Sequence, residues 1–294
     1  MNTTATQPTQ PAFESPQEYY STHSPITHPG ALRHLYTGLP ASLQELCRVD
    51  HGLVIHLSGG KLYNYTIPEE DMAESDTWEV EAILSRIAER DPQPLTVARP
   101  PERRFVGHCR VSAVLYCSML RELGIPVLVR VGFWGYHGEG PTRPSFDHWI
   151  TDVWKENEGR WVLVDPEQDE EWLATIQVPL NPLDIERYKF ITPGQAWLAC
   201  RRGEANPDHF GLDPSDVGMR YIRCQLLRDI AAFNKWESAA IDVWSLGLPQ
   251  DNELTEDDLA FLDYVAELDI RGIEAYEEIR RIYAAEPRLR PDGR

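Results

Sequence analysis

The sequence predicts an α+β fold in which one central helix is followed by antiparallel strands and flanked by helical segments at both ends. Three observations predict it. Residues 108–123 place apolar side chains at helical spacing and stop at Gly124, with Pro126 just beyond. Residues 127–133, 148–154 and 160–165 are short runs rich in β-branched and aromatic side chains, and the polar turn 155–159 separates the last two. From about residue 182 onward helical periodicity dominates.

The elements follow in order. Residues 1–30 are rich in Thr, Pro, Ser and Gln and poor in aliphatics, so a flexible N-terminal tail is expected there. Residues 31–100 read as a helical N-terminal segment. Ser42 with Glu45 three residues on forms a capping-box pattern, and Leu43, Leu46, Leu53 and Val54 continue at helical spacing to a stop at Ser58-Gly59-Gly60. A second helix over about 76–90 carries Val80, Ile83, Leu84 and Ile87 as one stripe. The proline-rich stretch 92–101 cannot be helical throughout and reads as a connector. Residues 101–192 form the expected core. Residues 193–294 form a helical C-terminal segment, with helices near 193–202, 215–234, 255–268 and 270–285 and Thr255 as an N-cap.

Composition narrows the function. The chain of 294 residues carries 28 basic and 47 acidic side chains, a net charge of −19, and has no basic footprint with which to displace counterions from nucleic acid. An anionic membrane surface is disfavoured for the same reason. No apolar run approaches the ~18 residues of a spanning helix. The first residues lack the basic and apolar regions of a secretion signal, so a cytoplasmic protein is expected. The five cysteines (Cys47, Cys109, Cys117, Cys200 and Cys224) are odd in number, widely spaced and without a CxxC, which argues against a disulfide framework or structural zinc. Neither a metal nor another cofactor is expected. A metal set from His137, His148, Asp165 and His209 lacks any ligand spacing that would support it.

One cysteine stands apart. Cys109, Ala113, Tyr116, Leu120 and Leu123 share a helix face, and Cys109 falls in the first turn, behind Gly107 and His108. Helix N-termini favour a thiolate, and their free N–H groups can stabilise an oxyanion. Gly107, lacking a side chain, would let a substrate approach. If strands 148–154 and 160–165 pair so that His148 lies opposite Asp165, the two share a face, and the carboxylate can fix the imidazole tautomer. A one-residue slip would separate them. Cysteine, histidine and aspartate so arranged suit attack on an amide or ester carbonyl through a thioester.

At these residues the chain resembles a known family. Gly107-His-Cys109 through Ala113, running on to Leu120 and Pro126, resembles the nucleophile helix of the transglutaminase-like superfamily. Asp147-His148-Trp149 resembles its histidine strand, and Arg160 through Asp165-Pro166 its aspartate strand. The resemblance covers about 103–170 and implies a papain-like core with Cys109 as nucleophile, His148 as base and Asp165 as its orienter. The flanking segments are similar to uncharacterised bacterial proteins with this domain. The Arg-Gly-Gly that marks the arylamine acetyltransferases is absent, and Val111-Ser112 departs from the acidic or aromatic residue often found after the nucleophile.

The loop from Trp134 to Phe146 holds Trp134, Tyr136 and His137 among glycines, and these three are candidate substrate-binding residues on a lid. A plain connector fits the same residues. His108 leaves the helix about 100° from Cys109 and is a poor base. The expected partners are an acyl donor with an amide or ester and an acceptor that is water or an amine. The alternatives are an amide-forming acyltransferase of small-molecule biosynthesis and a catalytically inert interaction module.

Overall fold

The computed structural model describes residues 15–136, 143–176 and 179–291. Helix α1 (Pro16–Tyr20) opens under the Ser15 hydroxyl, which accepts from the Glu18 amide. Tyr20 is fully buried and donates its hydroxyl to the Phe233 carbonyl at 2.7 Å. Its ring and that of Tyr19 both pack against Tyr276. This corrects the expected tail for residues 15–30. Few aliphatics are present, but two tyrosines bury large apolar area and anchor the segment. Residues 1–14 lie outside the described residues.

Helix α2 (Leu43–Leu53) starts at Ser42, whose Oγ accepts from Glu45 N at 3.4 Å. It passes straight into strand β1 (Val54–His56), where the sequence predicts more helix. β1 pairs in parallel with β2 (Phe105–Gly107), with His56 beside Gly107. Between them α3 (Val80–Arg90) buries the predicted stripe of Val80, Ile83, Leu84 and Ile87.

β2 leads through His108 into α4 (Cys109–Glu122), the centre of the molecule. Every residue from Cys109 to Arg121 is buried, so the helix has no solvent face, and Leu123, expected on the buried stripe, is the exposed one. A helix enclosed on all sides must satisfy its own polar side chains internally. Arg110 donates to the carbonyls of Ser238 and Glu237, and Arg121 pairs with the Glu237 carboxylate at 2.8 Å.

Strands β3 (Val127–Trp134), β4 (Ser145–Lys155) and β5 (Arg160–Val164) follow, antiparallel. The β4–β5 register differs from the expected one by two residues. Trp154 lies opposite Trp161, because the strands pair down to Lys155–Arg160 around a four-residue turn that ends on Gly159 at φ +62°. After α5 (Glu170–Leu173), β6 (Phe190–Ile191) extends the sheet beside β3. β7 (Phe210–Asp213) joins β4 in parallel, and β8 (Asp216–Val217) follows it, giving the order β6-β3-β4-β7-β8 with β5 also on β4.

Helices α6 (Pro193–Arg201), α7 (Met219–Phe233), α8 (Glu256–Arg271) and α9 (Tyr276–Ala285) complete the chain, with Thr255 capping α8 as predicted. Alternation along the strands sends Val127, Val129, Val131, Trp149 and Val153 into the core around α2, α3 and α4, and Leu128 into the core of the C-terminal helices, which Phe133 near the end of β3 also joins. Helices therefore cover both faces of the sheet. Asp229 of α7 ties the C-terminal layer to β3. It accepts from Arg130 Nη2 at 2.7 Å and from the Val131 amide at 2.7 Å. No helix among the described residues is long and apolar enough to cross a membrane.

Candidate active site

Three elements converge at one end of the sheet. Cys109 opens α4 and is buried with 8% exposure. His148 of β4 lies close enough that each group shifts the other's titration. His148 Nε2 lies 2.7 Å from Asp165 Oδ2, which leaves Nδ1 as the ring nitrogen for the sulfur. The expected register put these two residues directly opposite each other. In the observed register the place opposite His148 falls at position 167, beyond the last pair, Thr151–Val164. A shift of two preserves parity, so His148 and Asp165 become diagonal neighbours on one face, still within side-chain reach. Asp165 is further fixed by its amide, which donates to Pro182 O at 2.8 Å, and by the Glu167 amide, which donates to Oδ1 at 3.1 Å.

Electrostatics at this site are dominated by burial. Burial pushes the Cys109 thiol up to about 11, against the pull of His148. A helix N-terminus contributes only about 0.3–2 kcal/mol toward a thiolate, too little to offset that desolvation. The expected lowering of the thiol is thereby overturned. For His148, burial disfavours the imidazolium, but the Asp165 carboxylate and the Cys109 sulfur outweigh it and hold its pKa well above the usual value. All four other thiols are also pushed up by burial, so Cys109 is distinguished by the imidazole beside it and not by its own acidity.

The neighbours of the pair include residues that sequence reasoning missed. Glu167 reaches within 3.8 Å of His56 Nε2, and burial together with Asp165, Asp169 and Asp147 raises its carboxyl to about 8. His56 Nδ1 accepts from the Ser58 amide at 3.1 Å, and burial lowers its pKa to about 4, so it is neutral. A correct count of the 156–159 turn would have pointed to position 167. No local signal marks His56. His148, Asp165 and Glu167 bring ligand-type atoms within 4.8 Å of one another, and His148 and Asp165 are hydrogen-bonded to each other.

The remaining predicted residues fall in different places. At Gly107 the space for a side chain is filled by Val111 and Val54, at 2.8 and 3.1 Å from an ideal Cβ, so packing accounts for the glycine there. Tyr136 is buried beneath the site. Its hydroxyl donates to Asp165 Oδ2 and its ring meets His148 edge-on at 5.8 Å, not the lid position expected for a substrate contact. Trp134 ends β3 and packs edge-on against Tyr136 at 5.3 Å. His137 lies outside the described residues. His108 caps α4, its Nδ1 accepting from Arg110 N at 3.3 Å, and burial lowers its pKa to about 3. His209 sits in a short turn after α6. A cavity of about 510 Å³ lined by Arg48, His51, Tyr63, Arg104 and Gln168 reaches Asp165, but neither Cys109 nor His148 lines it.

A cysteine at the head of a buried helix, beside an imidazole that is hydrogen-bonded to a carboxylate at the edge of an antiparallel sheet, brings together a thiol, a base and an orienting carboxylate. Residues 78–166 match the family model of the transglutaminase-like superfamily, and that stretch holds Cys109, His148 and Asp165. The match starts at about α3, earlier than the resemblance read from residues 103–170. No curated protein and no solved structure matches the chain.

Proposed function

We propose that this chain is a cysteine-dependent acyl-transfer enzyme acting on an amide or ester carbonyl. The observation that carries this reading is the placing of His148 between Cys109, whose thiol it acts on, and Asp165, 2.7 Å from its Nε2. Burial keeps the thiol protonated and Asp165 holds the His148 pKa high, so the reactive form is the fraction in which His148 has lost its proton and can take that of the thiol. The sulfur then attacks the carbonyl carbon. The Arg110 and Val111 amides are taken by the His108 ring and carbonyl, so the oxyanion role passes to the amide of Cys109 itself. Collapse of the tetrahedral adduct breaks the bond to the leaving group, which departs with the proton held on His148. Water or an amine attacks the thioester, gives a proton to His148, and releases acid or amide with the thiol restored.

The test requires no known substrate. Iodoacetamide labelling followed by mass spectrometry should modify Cys109 faster than Cys47, Cys117 and Cys224, and His148→Ala should slow Cys109 labelling by about 100-fold, the scale of one general base. Uniform slow labelling of Cys109 and the other buried thiols, unchanged by His148→Ala, would reject the enzyme reading and leave an inert module.

A further inference from the structure

Asp165 Oδ2 accepts from two donors, His148 Nε2 and the hydroxyl of Tyr136. The phenol is committed there, and its ring is only 2% exposed. Tyr136 is set in place from two sides. Ile150, Leu163, Ile185 and Phe190 pack around it in a small cluster of their own. Gly135 donates its amide to Lys189 O at 3.0 Å, and a Cβ there would lie 2.9 Å from that oxygen. Only a glycine lets the chain leaving β3 lie this close to the strap before β6 and turn the next side chain inward. The same ring stands edge-on to the imidazole, so one residue touches both members of the base pair.

We propose that Tyr136 is a positioning residue of the His148–Asp165 pair, its hydroxyl pinning Oδ2 against His148 Nε2 and withdrawing part of the negative charge that the imidazole feels. The inference rests on the acyl-transfer reading above and names a role for a residue outside the triad. A carboxylate oxygen that accepts two hydrogen bonds is a weaker acceptor for each than one that accepts a single bond. Losing the phenol donor therefore strengthens the hold of Asp165 on the His148 proton. The other titratable groups facing the pair are Cys109 on α4, Asp147 on β4, His56 on β1, Glu167 and Asp169 beyond β5, and Cys47, Asp50 and His51 on α2. None of these is altered when only the hydroxyl of Tyr136 is removed.

The experiment is the pH dependence of Cys109 alkylation by iodoacetamide, which needs no substrate. The rate rises as His148 loses its proton, so the acid limb reports the base. For Tyr136→Phe the limb should move to higher pH by about half a unit to one unit, since one such unit corresponds to a single modest hydrogen bond, and the rate at neutral pH should fall about 3- to 10-fold. Asp165→Asn should move it to lower pH. Ile185→Ala, which loosens the same cluster without touching the carboxylate, should lower thermal stability and leave the limb in place. If Tyr136→Phe does not fold, fluorotyrosine placed at position 136 makes a stronger donor and should move the limb to lower pH. A limb that stays put in Tyr136→Phe or in the fluorotyrosine protein, or that moves the other way in either, overturns the role of Tyr136 while the His148→Ala and Asp165→Asn responses keep the triad intact. If those two variants also leave the rate and the limb unchanged, the triad reading falls and the proposal with it.

Discussion

Replacing Asp229 by Ala asks whether the C-terminal helices are an appendage or part of the catalytic core. The wild-type carboxylate accepts from Arg130 Nε at 3.0 Å and Nη2 at 2.7 Å, and from the Val131 amide at 2.7 Å, with no exposure. Removing it leaves the buried Arg130 guanidinium with Asp269 at 3.5 Å and the field of Asp152, and strands a backbone amide. Breaking one side of a buried ion pair costs about 3–5 kcal/mol, and the stranded amide overlaps with that figure instead of adding fully to it. About 4 kcal/mol in a chain of this size lowers the melting temperature by roughly 6 °C. Thermal unfolding followed by circular dichroism measures it. Asp229→Asn keeps an acceptor for Val131 and should lose roughly half as much. Val131 is two residues from Phe133 and pairs with Trp149, next to His148, so Cys109 labelling should lose its selectivity at the same temperature as the helical signal. A drop below about 2 °C for Asp229→Ala, or a labelling transition well separated from the helical one, would refute the view that the two layers form one cooperative unit.

Three further outcomes follow from the site. Glu167 has a folded pKa of about 8, raised by burial and neighbouring carboxylates, so its protonated form is favoured by folding; the stability this gives is complete below the unfolded value and is lost as pH rises through about 8. Glu167→Gln should therefore be more stable than wild type at pH 9 by up to about 5 kcal/mol, with the gap closing by pH 4, in melts across that range. His108→Ala should remove about 0.5–2 kcal/mol as a lost helix cap and change the Cys109 labelling rate by less than about 3-fold, so a loss comparable to that of His148→Ala would mean the adjacent imidazole is the base. Gly107→Ala forces a Cβ against Val111 and Val54 and should destabilise by about 1–3 kcal/mol in chemical denaturation, whereas an unchanged midpoint would show that the core gives way there.

What was legible in the sequence was what is local or periodic. The head of α4, the stop at Gly124 and the long strands follow from capping, breaker residues and β-branched runs, each read within a few positions. The His148–Asp165 pair was also legible although its register was miscounted, because an error of two in a strand keeps side chains on the same face. Strands β1, β2, β6, β7 and β8 were not, since two to four residues cannot display a period. The burial of α4 on every side was hidden by its polar residues, whose partners at 237 and 238 lie more than a hundred positions away. Tyr136 was read as part of a glycine-rich loop, and nothing short of the fold places its hydroxyl on Asp165, 29 residues on. The acidity of Cys109 was misjudged for a related reason: helix position is written locally, and desolvation is not.

That desolvation has a consequence for how the resting protein ages. A thiol with a pKa near 11 is ionised to only about one part in ten thousand at neutral pH, and peroxides attack the thiolate form. Between turnovers the sulfur of Cys109 is thus shielded from sulfenic and sulfinic acid formation that would inactivate a more acidic cysteine, and it becomes vulnerable only once it has given up its own proton.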